Sequence, residues 1–369
     1  MIVGVPAEVK PGENRVALTP DGARELTAHG VRVLVESGAG AHSALHDADF
    51  EAAGAELVGT EAAWGAELVL KVKEPQPEEF RFLRSDLVLF TYLHLAAYPA
   101  VADALLEHGT TALGYETVQG AQGTLPLLAP MSEVAGRLAP QVGAHFLERA
   151  QGGRGVLMGG APGVRPARVV VVGAGTVGLN AAWIAQGMEA EVLLLDRDLD
   201  RLRMVDQIHR GRIMTLASNR AVLERSVVDA DLVIGAVLVP GGRAPVVLTE
   251  DMVRSMRQGS VIVDVAVDQG GCVETTRETT HDHPVVEHFG VLHYGVGNMP
   301  AAVPHTSTYA LTNATTPYAL TVATHGVRGA LEAEPGLVTG LATAGGALTN
   351  AATAEALGRP ATDPFVALG

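Results

Sequence analysis

The stretch from Arg168 to Asp196 limits the fold of this chain more than any other part of the sequence. It reads RVVVVGAGTVGLNAAWIAQGMEAEVLLLD, so a run of β-branched residues leads into the pattern Gly173-x-Gly175-x-x-Gly178. A helix-like segment and a second apolar run follow. The first glycine permits a tight turn, the second lets the backbone approach a phosphate, and the third lets helix and strand pack closely. The order of strand, glycine loop, helix, strand and acid predicts a dinucleotide-binding unit.

The acid that ends this stretch indicates which dinucleotide is bound. Asp196 stands where a carboxylate is expected to bind the ribose hydroxyls. Because this carboxylate would repel a 2′-phosphate, the sequence favours NAD over NADP. Arg197 follows directly and would soften that preference if it faced the ligand; its alternative role is that of a solvated residue at a helix start. A second glycine cluster, Gly38-Ala39-Gly40, is not followed by a helical pattern and predicts only a loop.

Short apolar runs alternate with helix-like segments along most of the 369 residues, which is typical of βαβ units and parallel sheets. One set of runs extends from IVGVP to TALGYE, and a second set extends from ARVVVVGAG to VLHYGVG. The predicted class is therefore α/β, with two Rossmann-like doubly wound domains whose mainly parallel sheets are joined by long linking helices. We expect a discontinuous substrate domain at residues 1–128 and 305–369, and an NAD-binding domain at residues 129–304.

Three helices carry specific expectations. Thr19 and Pro20 predict the start of a helix over TPDGARELTAHG. A long linking helix is expected from about Pro130 to Ala150, with a kink at Pro140. The nearly uncharged, Thr- and Ala-rich segment after Asn298 predicts a buried helix that returns to the first domain.

The overall charge and the cysteine content exclude several classes of protein. The 41 acidic and 26 basic residues give a net charge of −15, which argues against nucleic acid or an anionic membrane surface as a partner. The single cysteine, Cys272, excludes an internal disulfide framework and fits the cytoplasm. The uncharged stretch 169–188 is long enough to span a bilayer, but its glycines and polar residues favour a buried strand, turn and helix. We expect a soluble chain.

Five further segments carry a family resemblance. They are VPAEVKPGENRVALTP near the start, LKVKEP at 70–75, YLHLA at 92–96, DVAVDQGGC at 264–272 and NMPAAVPHTSTYALTNA at 298–314. In residues, order and spacing the chain resembles bacterial alanine dehydrogenase, within the alanine dehydrogenase and transhydrogenase alpha-subunit family. The resemblance implies reversible NAD-dependent oxidative deamination of L-alanine to pyruvate and ammonium. It also implies a cytoplasmic homohexamer with small-molecule substrates and without nucleic-acid or membrane partners.

Two cations are candidates for binding the substrate carboxylate. The planar guanidinium of Arg15 suits a bidentate grip on a carboxylate, and its alternative role is that of a surface arginine in a loop. Lys73 is one of only three lysines and ends an apolar run, where ligands bind in open α/β sheets. Its alternative is an ion pair with an acid such as Glu74. The resemblance makes both Arg15 and Lys73 substrate contacts.

Oxidising an amino acid to a 2-oxo acid also needs groups that move protons. His94 lies in an apolar run, so it is either a structural histidine or a proton carrier, since imidazole titrates near neutral pH. Asp268 follows another apolar run, whereas Asp264 lies inside that run and is the expected structural acid. The resemblance makes His94 and Asp268 the catalytic residues and leaves open how they divide the proton transfers.

Further cofactor contacts are implied by the resemblance alone. Asp268 is one of them, and the others are Ser132, Thr176, Val177, Arg201, Ser218, Val237, Leu238, Arg277, Asn298 and Met299. Ser132 has the alternative role of capping the linking helix, and Asn298 that of a turn residue.

Two features point weakly to other chemistry. His281-Asp282-His283 has the residue types of metal ligands, but Pro284 and the loop-like threonines before it argue against a metal site, and none is expected. Cys272 is expected to be a buried or half-buried thiol, because no histidine base is placed beside it.

Two alternative functions remain, a transhydrogenase NAD-binding subunit and a non-catalytic NAD-binding protein. The pair of Arg15 and Lys73 argues against the first of these. The presence of both His94 and Asp268 argues against the second.

Overall fold

The chain forms two compact α/β units in the computed structural model, which describes residues 1–237 and 244–369. Unit 1 consists of Met1–Met131 and Val303–Gly369, and unit 2 consists of Ser132–Ala302. Each unit is built on one mainly parallel sheet with helices, which confirms the predicted fold class. Among the described residues, no helix is both long enough and apolar enough to cross a bilayer.

The first part of unit 1 alternates strands with helices. Its strands are β1 (Ile2–Val5), β2 (Arg32–Glu36), β3 (Glu56–Val58), β4 (Leu68–Leu70), β5 (Val88–Thr91) and β6 (Thr111–Gly114). Its helices are α1 (Pro20–Ala28), α2 (Asp47–Ala52), α3 (Thr60–Trp64) and α4 (Pro99–Glu107), and α5 (Ala129–Leu147) begins at its end. The predicted start of α1 is confirmed, because Thr19 accepts the N–H of Gly22 at 3.1 Å. Helix α5 contains Pro140 and ends earlier than expected.

Unit 2 repeats the alternation. Its strands are β7 (Arg168–Val172), β8 (Glu191–Asp196), β9 (Ile213–Ala217), β10 (Leu232–Gly235), β11 (Val261–Asp264), β12 (Val285–His288) and β13 (Val291–Tyr294). Its further helices are α6 (Thr176–Gly187), α7 (Leu199–His209), α8 (Arg220–Val228) and α9 (Glu250–Ser255). The uncharged stretch 169–188 thus forms a buried strand, a turn and a helix, as predicted.

The tail of the chain belongs to unit 1. It contains α10 (Pro304–Ala333), α11 (Gly336–Gly340), β14 (Leu341–Ala344), β15 (Ala347–Leu348), α12 (Ala351–Ala356) and α13 (Pro364–Ala367). Helix α10 is interrupted at Gly326, whose φ of +70° lies in the left-handed region. Its threonines are compatible with burial because they hydrogen-bond within the unit: Thr308 Oγ1 lies 2.9 Å from Ser43 Oγ, and Thr312 donates to the carbonyl of Thr308.

Both sheets have the strand order of doubly wound folds. The sheet of unit 1 runs β15-β14-β6-β5-β4-β1-β2-β3, and that of unit 2 runs β12-β13-β11-β10-β7-β8-β9. Pairing is parallel except where β14 and β15 join unit 1 and where β12 joins unit 2. The central strands are buried along their length, as their runs of Val, Leu and Ile require when helices cover both faces. The strand order changes direction between β1 and β4, and between β7 and β10.

Candidate active site

The candidate residues of each unit lie at the edge of the sheet where its parallel strands end. In unit 1 the segment with Arg15 follows β1, Lys73 follows β4 and His94 follows β5. In unit 2 the candidates that follow successive strands are Gly173, Asp196, Ser218, Val237, Asp268 and Asn298. Open α/β sheets bind ligands at this edge, beside the point where the strand order changes direction. Each unit therefore has a candidate site of its own.

The glycine loop after β7 has the close contacts that its pattern predicts. Gly173 has a φ of +105°, and a Cβ atom there would lie 2.6 Å from the carbonyl oxygen of Ala236. A Cβ atom on Gly178 would lie 1.7 Å from the carbonyl oxygen of Gly173. At Gly175 the nearest described atom would be Nη1 of Arg201, at 3.9 Å. The first and third glycines are thus required by packing, whereas the second faces open space beside a cation.

The start of α6 fits a phosphate group. Gly175 is the N-cap of this helix, and no side chain accepts its first N–H groups. That absence holds for the described residues, and N–H groups of this kind, together with the positive end of the helix dipole, bind phosphate. Thr176 is exposed in the first turn, while Val177 is buried beneath it. The loop and helix start therefore fit the pyrophosphate of a dinucleotide.

Asp196 is held beside the glycine loop at the end of β8. Its Oδ2 accepts the N–H of Ala174 at 2.5 Å, and its Oδ1 accepts the N–H of Asp198 at 2.8 Å. The N–H of Ser218 donates to the carbonyl oxygen of Asp196 at 2.7 Å, which brings the ends of β8 and β9 together. The carboxylate is partly exposed. Its position fits a ribose beside the pyrophosphate.

The other nucleotide candidates lie at several places in unit 2. Val237 is half-buried just after β10, and Leu238 lies outside the described residues. Asn298 has a φ of +56° and is half-buried, which agrees with its alternative as a turn residue, and Met299 beside it is buried.

Two further candidates for nucleotide binding are Ser132 and Arg277. Ser132 is the fourth residue of α5, which begins at Ala129, so the alternative that it caps this helix is wrong. Arg277 donates from Nη1 to the carbonyl oxygens of Glu274 at 2.9 Å and Thr276 at 2.8 Å.

Arg15 is buried in unit 1, so its alternative role as a surface arginine is wrong. Its Nε and Nη2 donate to the two carboxylate oxygens of Glu13, at 2.6 and 2.5 Å. Nη1 lies 2.8 Å from Sδ of Met131. Burial alone would lower the pKa of Arg15, but the paired Glu13 carboxylate outweighs burial and raises it. Glu13 thus fixes one edge of the guanidinium and keeps it charged.

Lys73 lies three residues beyond the end of β4, not at the end of the strand as expected. The predicted alternative, an ion pair with Glu74, does not form, because Glu74 pairs with Lys10 at 2.5 Å. Within the described part of the chain, no carboxylate lies within 4.0 Å of Lys73 Nζ. Desolvation lowers the pKa of Lys73, and the neighbouring charges of Arg15 and Lys10 lower it further. The charges of Glu13 and Glu74 raise this pKa in part, so Lys73 is half-buried among charges of both signs, with desolvation as the largest effect.

A buried charge cluster beneath Lys73 escaped the sequence analysis. Lys71 is fully buried, and its Nζ lies 2.8 Å from Oε1 of Glu79 and 3.2 Å from Oε2 of Glu8. Oε1 of Glu8 also accepts the N–H groups of Val72 at 2.6 Å and Lys73 at 3.4 Å. The cluster thus fixes the backbone that carries Lys73. The signal that could have found it is the rarity of lysine, since Lys71 belongs to the same LKVKEP segment.

His94 is held in a sparsely populated backbone conformation, with a φ of +46°. The carboxylate of Glu116 accepts its N–H at 2.7 Å and that of Leu93 at 3.2 Å, which stabilises this turn. The imidazole stacks on Tyr92 with ring centroids 5.7 Å apart and an interplanar angle of 1°. Neither ring nitrogen hydrogen-bonds to another described residue, so His94 is not the satisfied structural histidine of the alternative interpretation. Glu116 is a further supporting residue that the sequence analysis missed.

Asp268 lies on a short turn of 3₁₀-helix, Val267–Gln269, and its side chain is exposed. Asp264 is the last residue of β11 and is fully buried, in agreement with a structural role. Burial raises the pKa of the Asp264 carboxyl, against the effect of the N–H and S–H donors around it. Cys272 is also fully buried, as expected, and burial raises the pKa of its thiol.

The His281-Asp282-His283 segment forms an exposed bend before β12. In the described ranges, no group of three His, Cys, Asp or Glu side chains is arranged to hold a metal ion.

Comparisons with known proteins cover the whole chain. The family models described as alanine dehydrogenase/PNT, N-terminal domain and C-terminal domain match residues 4–135 and 139–351. Alanine dehydrogenase from Mycobacterium tuberculosis is 58% identical over 366 residues, 99% of each chain. The enzyme named alanine dehydrogenase in Bacillus subtilis is 54% identical over 360 residues, which cover 97% of this chain and 95% of that one.

Solved structures agree with these sequence comparisons. A structure of L-alanine dehydrogenase matches with a TM-score of 0.95 at 49% identity, covering 97% of this chain and 99% of that one. A transhydrogenase from Sinorhizobium meliloti matches with a TM-score of 0.83 at 27% identity, covering 95% of this chain and all of that one.

Proposed function

Because the chain belongs to the alanine dehydrogenase/PNT family, we propose that it catalyses the reversible NAD-dependent oxidative deamination of L-alanine. Its relatives make it an oxidoreductase of the amino-acid dehydrogenase class, which uses a nicotinamide cofactor. The proposed reaction converts alanine, NAD⁺ and water into pyruvate, ammonium, NADH and a proton. We further propose that residues 1–128 and 305–369 bind the substrate and residues 129–304 bind NAD.

The observation that carries this proposal is that Lys73 lacks, among the described residues, the ion pair that each neighbouring cation has. Arg15, Lys10 and Lys71 each have a carboxylate within 3.2 Å, whereas Lys73 has none within 4.0 Å among the described residues. A half-buried ammonium group with no carboxylate in direct contact is suited to an anionic ligand, because the ligand supplies a negative charge at contact distance. Lys73 is proposed to bind the carboxylate of alanine or pyruvate.

Arg15 is proposed to complete the carboxylate site. The Nε edge of its guanidinium is occupied by Glu13, so a substrate carboxylate would approach the Nη groups. A buried arginine that is already oriented in this way loses little side-chain entropy when it binds a carboxylate. Arg15 and Lys73 together distinguish this chain from a module that binds only a nucleotide.

His94 and Asp268 are proposed to move the protons of the reaction. Loss of hydride from Cα leaves an iminium, which water attacks to give a carbinolamine and then pyruvate and ammonium. Each of these steps needs a proton to be taken up or released at nitrogen or oxygen. The ring nitrogens of His94 have no hydrogen-bond partner among the described residues, so they are available to water or substrate. Asp268 would assist as a second proton carrier and as a cofactor contact.

The residues of unit 2 fit a nicotinamide dinucleotide. The glycine loop and the start of α6 would hold its pyrophosphate, with Arg201 beside them, and Asp196 would bind its adenosine ribose. When bound, the nicotinamide supplies the hydride acceptor that alanine oxidation requires. The Asp196 carboxylate disfavours a 2′-phosphate, which supports NAD over NADP. The remaining proposed contacts are Ser132, Thr176, Val177, Ser218, Val237, Leu238, Arg277, Asn298 and Met299.

Two further features are proposed from the family resemblance, a homohexameric assembly and a cytoplasmic location. Gel filtration with light scattering tests the first, and the mass of six chains is the expected result.

The decisive experiment measures NADH absorbance with the purified chain, NAD⁺ and a panel of alanine, glycine, serine, valine and lactate. Reduction with alanine far ahead of the other compounds is expected, and NADP⁺ in place of NAD⁺ should support little of it. A chain that binds NADH but reduces nothing across the panel would contradict the proposal. That result would favour a transhydrogenase-like role, which the similarity to the transhydrogenase structure makes the second candidate.

A further inference from the structure

The loop that carries Asp268 leaves β11 after Asp264 and comes back beside that residue at Cys272. Its turn is closed by hydrogen bonds from the N–H groups of Gln269 and Gly271 to the carbonyl oxygen of Ala266, both at 3.0 Å. These bonds shape the loop internally. They do not attach it to the strand that it leaves.

Two backbone bonds of 2.9 Å hold single points of the loop, from the N–H of Val265 to the carbonyl oxygen of Gly235 and from the N–H of Ala244 to that of Gln269. The side chain of Asp264 binds both ends of the loop. Its Oδ1 accepts the N–H of Ala266 at 3.2 Å, at the start of the loop. Its Oδ2 accepts the N–H groups of Cys272 at 3.0 Å and Val273 at 3.1 Å, where the chain returns. The thiol of Cys272 lies 3.4 Å from Oδ1 and donates to it. One fully buried side chain therefore joins both ends of the Asp268 loop.

This arrangement requires a carboxylate of this size. All of the donors around it point at acceptor oxygens, and an ionised carboxylate accepts on both of its oxygens. In an amide of the same shape one oxygen becomes an NH2 group, which would face an N–H donor on one side of the loop. The neighbouring glycines leave space for this carboxylate, since a Cβ atom on Gly271 would lie 3.0 Å from Oδ2 and one on Gly235 would lie 3.4 Å from Oδ1.

We propose that Asp264 is the positioning residue for Asp268. It holds both ends of the loop and so keeps the Asp268 carboxylate in the position that proton transfer requires. This inference rests on the proposed catalytic role of Asp268. Asp264 itself is buried and does not touch the substrate in this assignment. Its effect on turnover is exerted through the loop.

The first test is Asp264→Asn in the full-length chain, assayed by NADH formation from alanine. We expect kcat to fall by about 10- to 100-fold, since small misplacements of a catalytic group have effects of this size. Displacing the Asp268 cofactor contact should raise the Kd for NADH by less than about threefold, because the other proposed contacts, the glycine loop and Asp196, lie on other strands and are retained. Asp231→Asn is the matched control, as this nearly buried acid accepts the N–H of Arg168 at 2.9 Å where β10 begins. It should keep kcat within about twofold of the parent.

A double-mutant cycle with Asp268→Asn separates positioning from general damage. If Asp264 acts through Asp268, adding Asp264→Asn to Asp268→Asn should lower kcat by less than about twofold. Multiplying effects, or a parental kcat in Asp264→Asn beside an impaired Asp268→Asn, would overturn the inference. A parental kcat in Asp268→Asn would instead contradict the proposed role of Asp268 and is read independently of Asp264.

Gly271→Ala provides the test if Asp264→Asn does not fold. Gly271 has a φ of +73°, and the added methyl group would lie 3.0 Å from Oδ2 of Asp264, close enough to displace the carboxylate. Gly290→Ala is its control, since Gly290 has a φ of +75° and a contact of the same 3.0 Å, with Gln258. We expect kcat to fall in Gly271→Ala and not in Gly290→Ala. Equal values of kcat in the two variants would overturn the inference.

Discussion

Replacing Lys71 tests whether the buried cluster beneath Lys73 stabilises unit 1. Lys71→Met keeps a side chain of similar length and removes the charge. Two carboxylates, Glu8 and Glu79, then remain in a site where their side chains are 2% and 4% exposed. The loss of one partner from a buried ion pair leaves an uncompensated charge. The attraction that had offset the cost of desolvating the carboxylates is then missing.

The expected loss of unfolding free energy is about 3 to 5 kcal/mol, the usual range for breaking a buried ion pair. With a denaturant slope of about 3 kcal/mol per molar urea, the unfolding midpoint should fall by about 1 to 2 M. Urea titration followed by circular dichroism measures this shift. Arg32→Met is the control, because Arg32 and Glu56 pair with more than half of each side chain exposed, and its midpoint should stay at the parental value.

The pH dependence of the loss identifies its cause. Burial raises the pKa of Glu8 above the ordinary 4.5, and Lys71 is the main influence that lowers it again. Without Lys71 this pKa rises further. As the pH increases from 4.5 towards that raised value, the unfolded chain releases a proton that the folded chain retains, so the folded state loses stability. The deficit of Lys71→Met should therefore be smaller at pH 5 than at pH 8. A midpoint shift below about 0.3 M, or a deficit that does not change with pH, would refute this reasoning.

Three further predictions concern the binding sites and the acid stability of unit 2. Asp196→Ala should weaken NADH binding about tenfold or more and leave the KM for alanine nearly unchanged, as measured by fluorescence titration and initial rates; equal effects on both ligands would contradict the assignment. Lys73→Gln should raise the KM for alanine about 10- to 100-fold with an unchanged Kd for NADH, since a charge-assisted bond is lost. Burial lowers the pKa of His293 to about 4 from an ordinary 6.5, so stability should fall by roughly 3 kcal/mol as the pH drops through that window. His293→Gln should lose this part of the acid sensitivity in an unfolding titration.

The central elements of unit 2 were predictable because their constraints are local. A Cβ atom on Gly178 would clash with the carbonyl oxygen of Gly173, which lies five residues earlier. This requirement is visible in the sequence as a fixed spacing of glycines. The start of α1 was predictable for the same reason, since Thr19 caps a backbone group three residues later. Long apolar runs such as those of β7 and β11 are equally clear, because both faces of these strands are buried.

The edges of both sheets were not predictable in this way. Strands β3 and β15 have three and two residues, too short for a recognisable alternation. Strand β9 forms one edge of its sheet and exposes Met214 and Leu216, so its pattern differs from that of a buried strand. Each of these edge strands pairs with a single neighbour, β3 with β2, β9 with β8 and β15 with β14. Their pairing depends on the unpaired backbone groups of that neighbour, which the short strand's own residues do not record.

The ion pairs around the proposed substrate site also depend on residues that are distant in the sequence. Lys71 meets Glu8 across 63 positions, and Lys10 meets Glu74 across 64. All three lysines of the chain thus lie in the same part of unit 1. Glu8, Glu74 and Glu79 lie within 3.2 Å of Lys10 or Lys71, whereas Lys73 is the one of these three lysines with no described carboxylate within 4.0 Å. The sequence could name Lys73 as a candidate, but the folded pairing of the other two gives the physical reason for the choice.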